Sequence, residues 1–187
     1  QMCIRDRCNI PAYSTERVAH TAIMMLLNFA STIQQQIGML ARGDRSNFTK
    51  HLQVPHTEVN GKTLGIIGAG HIGMAVVKVA RALDMNILIH TRTPKEDSEG
   101  IRYVSLDELL AKSDYISLHC PLNDKTKHLI NKDTIAKMKS NAVIINTGRG
   151  ALINEADLCD ALAAKRIHGA GLDVQEVEPP AEDSPLY

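Results

Sequence analysis

The stretch "KTLGIIGAGHIG" constrains the fold more than any other part of this chain. A short apolar run ends in Gly68, and Gly70 and Gly73 follow in GxGxxG spacing. Residues 71–83 then carry apolar side chains at helical intervals. A glycine loop between a buried strand and a helix is where a backbone can cradle a pyrophosphate. Gly68 allows the tight turn, Gly70 lets the backbone approach the phosphates, and Gly73 lets the helix pack close to the strand. His71 and Ile72 are expected to touch the pyrophosphate through their backbone N–H groups, at the positive end of the helix. The plainer alternative is a tight strand–helix turn with no ligand.

The rest of the chain repeats the strand–helix alternation. "NILIH", "YISLH", "AVIINT" and "GAGLDV" read as strands. "SLDELLAKS", "NKDTIAKMK" and residues 154–164 read as helices, with Ser105 and Glu108 at capping-box spacing. The strands are continuous apolar runs, the pattern of a parallel sheet covered on both faces. The expected fold is α/β: a Rossmann-type doubly wound parallel sheet, incomplete, with residues 8–187 as the dinucleotide-binding domain. Near its start, Val18, Ala22, Met25, Leu26, Phe29, Ile33 and Ile37 recur at helical spacing. They predict one leading helix over 14–38, capped by Ser14 or Thr15. Residues 39–60 read as a polar, irregular connection.

Composition removes several function classes. The 187 residues carry a formal charge of zero, and no basic block appears, so nucleic acid is not an expected partner. Aromatics make up only 3% of the chain, which disfavours a stacking surface. "AIMMLLNFA" is too short to span a bilayer. Cys3, Cys8, Cys120 and Cys159 show neither CxxC nor metal-ligand spacing, so reduced thiols, no metal site and a cytoplasmic location are expected. "QMCIRDR" has no apolar period and matches the translation of an adapter used in sequencing libraries. Residues 1–7 are therefore expected to be a non-native leader.

A second diagnostic of dinucleotide binding lies after "NILIH". An NAD site carries Asp or Glu there, accepting from the adenosine ribose hydroxyls. This chain reads "LIHTRTP", with Thr91 at or near the acid position, then Arg92 and Thr93. Without the carboxylate a 2′-phosphate is not repelled, and a guanidinium can grip it with two N–H groups. NADP is the expected cofactor, with NAD the alternative and a solvated loop charge the plain reading of Arg92.

Four ordered stretches, "GKTLGIIGAGHIG", "LHCPLNDKTKHLIN", "NTGRGALINEADLCDAL" and "GAGLDVQEVEPP", resemble the D-isomer-specific 2-hydroxyacid dehydrogenases. "NIPAYSTERVA" and "EVEPPAEDSPLY" look most like the glycerate dehydrogenase (hydroxypyruvate reductase) branch. The resemblance implies two α/β domains with a cleft between them, the substrate domain lying largely outside this chain. It assigns Arg149, at a strand's C-terminal end, to the substrate carboxylate and carbonyl, with Gly150 permitting a close backbone approach. It places Asp173 at the nicotinamide carboxamide and Thr147 near the nicotinamide ribose. His119, Cys120 and Pro121 fall near the adenosine side, with Thr126 close by. His119 tempts as a general base, but the family's catalytic histidine lies elsewhere. Glu178 is the carboxylate partner of that histidine, expected beyond Tyr187, so this stretch alone is expected to be inactive. His20 and His168 read as structural.

The implied reaction is hydride transfer between a nicotinamide and a small 2-oxo or 2-hydroxy acid. Hydroxypyruvate or glyoxylate is the first choice, with phosphoglycerate and D-lactate as alternatives. The competing class is a dinucleotide-sensing corepressor. Members commonly pair through the leading helix, so a homodimer is expected, although the same apolar face could be core within one subunit.

Overall fold

Six strands form one parallel sheet in the order β3-β2-β1-β4-β5-β6. They are β1 (Thr63–Ile67), β2 (Asn86–His90), β3 (Ile101–Tyr103), β4 (Tyr115–Leu118), β5 (Val143–Asn146) and β6 (Gly169–Leu172). The computed structural model describes residues 14–48, 53–180, 182 and 184–186. The expected leader 1–7 and the thiols Cys3 and Cys8 lie outside the described residues.

Helices cover both faces, as the unbroken apolar runs require. Leu64, Ile66, Ile87, Ile89, Val143 and Ile145 point to the face packed by α1 (Thr15–Ser31) and α3 (His71–Ala82). Ile67, Leu88, Ile116, Leu118 and Ile144 point to the other, under α4 (Leu106–Lys112), α5 (Lys132–Ile135) and α6 (Glu155–Ala163). Successive strand residues alternate between two cores, so neither face can be polar. The capping pattern is seen at Ser105, whose hydroxyl accepts from the Glu108 N–H at 3.2 Å. Asp114 stitches the opposite end of the sheet, accepting from the Thr63 N–H at 2.9 Å and from Lys139 Nζ at 2.9 Å.

Two expectations need correction. The helix over 14–38 is two helices, α1 and α2 (Ile33–Ala41), broken at Thr32 with φ of 52°. A β-branched residue disfavours that left-handed conformation, and bonds to a neighbouring segment hold it there. The Thr32 hydroxyl donates to the Pro55 carbonyl at 2.8 Å, and the Thr57 N–H donates to Ala30 O at 2.8 Å. Ile33 and Ile37 continue the helical spacing across the break, but they are 51% and 60% exposed and do not join the core. Ser14 occupies the cap position of α1 without a side-chain cap bond. Strand β3 was not expected from the sequence; it is three residues long, at the sheet edge, with exposed Arg102 at its centre.

Candidate dinucleotide and substrate site

The strand order turns back between β1 and β4. The loops leaving those two carboxyl ends diverge, which is where ligands bind in open α/β sheets. The three glycines divide the work at that point. The Gly68 N–H donates to His90 O at 2.9 Å. At its φ of 105°, a Cβ would stand 2.6 Å from the backbone of His119 and Cys120. A Cβ on Gly73 would collide with the Gly68 carbonyl oxygen, whereas one on Gly70 would meet nothing within 4 Å. Two glycines thus answer the protein's own packing and the third faces open space. The first intrahelical bond of α3 runs from the Met74 N–H to Gly70 O. The amides of His71, Ile72 and Gly73 therefore have no acceptor within the helix and suit an anion.

At the exit of β2, Thr91 is half-buried and Arg92 and Thr93 are exposed. Arg92 makes no ion pair among the described residues. At the exit of β4, His119 Nε2 lies 2.8 Å from the Ser117 hydroxyl. Burial holds this imidazole down to about 4, so it is neutral near pH 7. Burial also pushes the Cys120 thiol up, away from thiolate chemistry. Pro121 is exposed. The Thr126 hydroxyl donates to Pro121 O at 2.6 Å and accepts from the Asn123 N–H at 2.8 Å, closing the loop on itself.

The exit of β5 is organised by Asn146, which is fully buried. Its Oδ1 accepts from the Gly148 N–H at 3.1 Å and its Nδ2 donates to Arg149 O at 2.9 Å. Its carbonyl accepts from the Asp173 N–H at 3.0 Å. One buried amide residue therefore ties the arginine turn to the end of β6. Thr147 Oγ1 is buried with no hydrogen-bond partner among the described residues, an unusual state for a buried polar atom. Arg149 is exposed and spends one N–H on Gly148 O at 2.8 Å. It forms no ion pair among the described residues, which leaves its remaining donors for an anion.

Gly150 does permit a close backbone approach, but the approaching backbone belongs to the protein. A Cβ there would overlap Gln175 and the Glu176 nitrogen. Glu178 lies just beyond, exposed, with its Oε1 accepting from the Gln175 N–H at 3.0 Å. The glycine loop, residues 91–93, residues 119–126, Thr147, Arg149 and Asp173 all follow carboxyl ends of adjoining strands. Glu178 is reached through the turn that packs on Gly150. His168 packs edge-on against Phe29 at 6.4 Å, and His20 lies on the exposed side of α1. Among the described residues, no three His, Cys, Asp or Glu side chains are placed to hold a metal ion, and no helix is long and apolar enough to cross a membrane.

Sequence reasoning missed Asn146, Ser117, His128 and Glu176. A polar residue closing the apolar run "AVII" was a visible signal for Asn146. The His128–Glu176 contact joins residues too far apart in sequence for any local pattern to show.

Residues 23–187 match the family described as "D-isomer specific 2-hydroxyacid dehydrogenase, NAD binding domain". A hydroxypyruvate reductase of Blautia hydrogenotrophica is 42% identical, over 95% of this chain and 56% of its own length. A hydroxypyruvate reductase of Thermotoga maritima is 39% identical, over 94% and 56%. The crystal structure of a glyoxylate reductase from Paecilomyes thermophila superposes with a TM-score of 0.83 at 40% identity, over 94% of this chain and 53% of that one. The chain spans about half the length of the curated relatives it matches.

Proposed function

This chain belongs to the D-isomer specific 2-hydroxyacid dehydrogenases, and from that premise we propose that the protein is an oxidoreductase moving a hydride between a nicotinamide dinucleotide and a D-2-hydroxy acid. The favoured reaction reduces hydroxypyruvate or glyoxylate to D-glycerate or glycolate. The observation that carries this reading is the exposed Arg149 guanidinium at the carboxyl end of β5, free of ion pairs among the described residues. A permanent cation at this edge of the sheet suits a small carboxylate held against a cofactor.

The dinucleotide, when bound, supplies or accepts the hydride. Gly68, Gly70 and Gly73, with the amides of His71 and Ile72, receive its pyrophosphate. Thr91, Arg92 and Thr93 receive the adenosine ribose. NADP is favoured over NAD because Thr91 stands at or near the usual acid position and Arg92, just after it, makes no ion pair among the described residues. His119, Cys120, Pro121 and Thr126 wall the adenosine side, and Thr147 and Asp173 hold the nicotinamide end. Arg149 orients the substrate carboxylate and draws electron density from the carbonyl oxygen, an effect strongest as charge develops there. Glu178 fixes the tautomer of a histidine proton donor. A homodimer in the cytoplasm completes the proposal; the pairing alone is supported by the apolar residues Met24, Ile33, Ile37 and Leu40 exposed on α1 and α2.

The test is steady-state turnover by the full-length protein. Hydroxypyruvate, glyoxylate, pyruvate and phosphohydroxypyruvate are offered with NADPH or NADH. The highest kcat/KM is expected on hydroxypyruvate or glyoxylate. Binding of dinucleotide without reduction of any of the four would refute the activity.

A further inference from the structure

Outside the cofactor crevice, one short contact joins the loop before α5 to the segment that follows β6. His128 Nε2 and Glu176 Oε1 stand 2.6 Å apart across 48 residues of sequence. Their side chains are only 33% and 31% exposed, so this is not a loose surface pair. His128 is held from three sides. Its φ is 51°, its N–H donates to Ala151 O at 2.8 Å, and its carbonyl accepts from Asn131 Nδ2 at 2.9 Å. A left-handed histidine persists only where its surroundings over-determine it.

The other partner is equally placed. The Glu176 N–H bonds to Glu155 Oε1 in the first turn of α6. The Gln175–Glu176 backbone lies so close to residue 150 that only glycine fits there. Ile130 pairs with Ile153 in a parallel bridge. Residues 128–130 therefore run as a splint beside 150–153, immediately after Arg149, and Glu176 is fastened to that splint.

The segment from Asp173 to Glu178 has no regular secondary structure, and both of those carboxylates are exposed. Their positions depend on a few anchors: the Asp173 N–H on Asn146 O, the contacts of Glu176, and packing on Gly150. We propose that the His128–Glu176 pair is a positioning clamp that holds the Asp173–Glu178 segment against the Arg149 turn, so that nicotinamide-side and proton-transfer groups keep a productive spacing. The clamp's catalytic consequence rests on the dehydrogenase reading above. Neither residue touches substrate; each acts through the backbone it holds. Small displacements of such groups are costly in rate.

Two measurements test it. In this chain, backbone hydrogen exchange at Gln175–Glu178 is compared between wild type, His128→Ala and His128→Gln. Exchange should speed about tenfold in His128→Ala and return most of the way in His128→Gln, which keeps a side-chain N–H donor. Unchanged exchange in His128→Ala overturns the clamp, whatever the protein catalyses. In the full-length protein, His128→Ala and Glu176→Ala should each lower kcat about tenfold, leave the KM for dinucleotide within about twofold, and be no worse together than apart. Additive losses, or a loss confined to dinucleotide KM, overturn it as well. No turnover by the wild type would refute the proposed activity instead, and the exchange result would still decide the clamp.

Discussion

Asn146 holds Arg149 by its backbone: the buried amide donates to the Arg149 carbonyl at 2.9 Å while its own carbonyl receives the Asp173 N–H at 3.0 Å. The backbone of the arginine turn is therefore held by a residue with no exposure of its own. Asn146→Ala leaves the Gly148 N–H and Arg149 carbonyl without these partners, and should cost about 1–3 kcal/mol of stability in urea denaturation. In the full-length protein, kcat/KM for the 2-oxo acid should fall by about tenfold to a hundredfold, because the cation is retained but no longer held in place. Unchanged kinetics with lowered stability would separate folding from aim.

The glycine loop makes opposite predictions at two positions. Gly73→Ala pushes a methyl group into the Gly68 carbonyl, which is backbone and cannot swing away. A loss of about 2 kcal/mol or more is expected. Gly70→Ala points its methyl into open space. Stability should move by no more than about 0.5 kcal/mol, while dinucleotide affinity, followed by fluorescence titration, drops about tenfold.

Arg92 separates the two cofactors. It is exposed and unpaired among the described residues, so Arg92→Ala should leave the fold intact. NADPH binding should weaken about tenfold or more and NADH binding by about twofold or less. Equal losses for both would remove the 2′-phosphate from the account.

His119 predicts a pH dependence of stability. Its folded value is held near 4 by burial, against an ordinary 6.5. Between those values the unfolded chain binds more protons, so this contribution is fully present above about pH 6.5 and is lost as pH falls toward 4. Compared with wild type, His119→Gln should show a shallower fall over that window. The difference should reach about 1–2 kcal/mol after allowance for a half-buried ring. Parallel profiles would mean the ring is better hydrated than its surroundings imply.

Much of this architecture is legible because a buried parallel strand has nowhere to put a polar side chain. "TLGII" and "VII" could hardly be anything else once Gly68 and the helix after it are seen. Strand β3 escaped because an edge strand of three residues needs only Ile101 buried, and "IRY" has no pattern long enough to read. The break at Thr32 escaped because Ile33 and Ile37 keep the helical period while leaving the core. Arg149 and Asp173 could be placed from their positions after apolar runs. The Asn146 bonds and the His128–Glu176 contact could not, since each depends on how separate loops meet in space.

The joint at Thr32 also divides the leading segment by tolerance to redesign. α1 is wedged against α3 and β5 and behaves as part of the nucleotide fold. α2 leaves that fold with only Met39 buried. Ile33, Ile37 and Leu40 can therefore be exchanged for polar residues without repacking the sheet, which makes α2 the natural handle for removing the proposed pairing face and raising the solubility of the isolated chain while its glycine-loop crevice is studied.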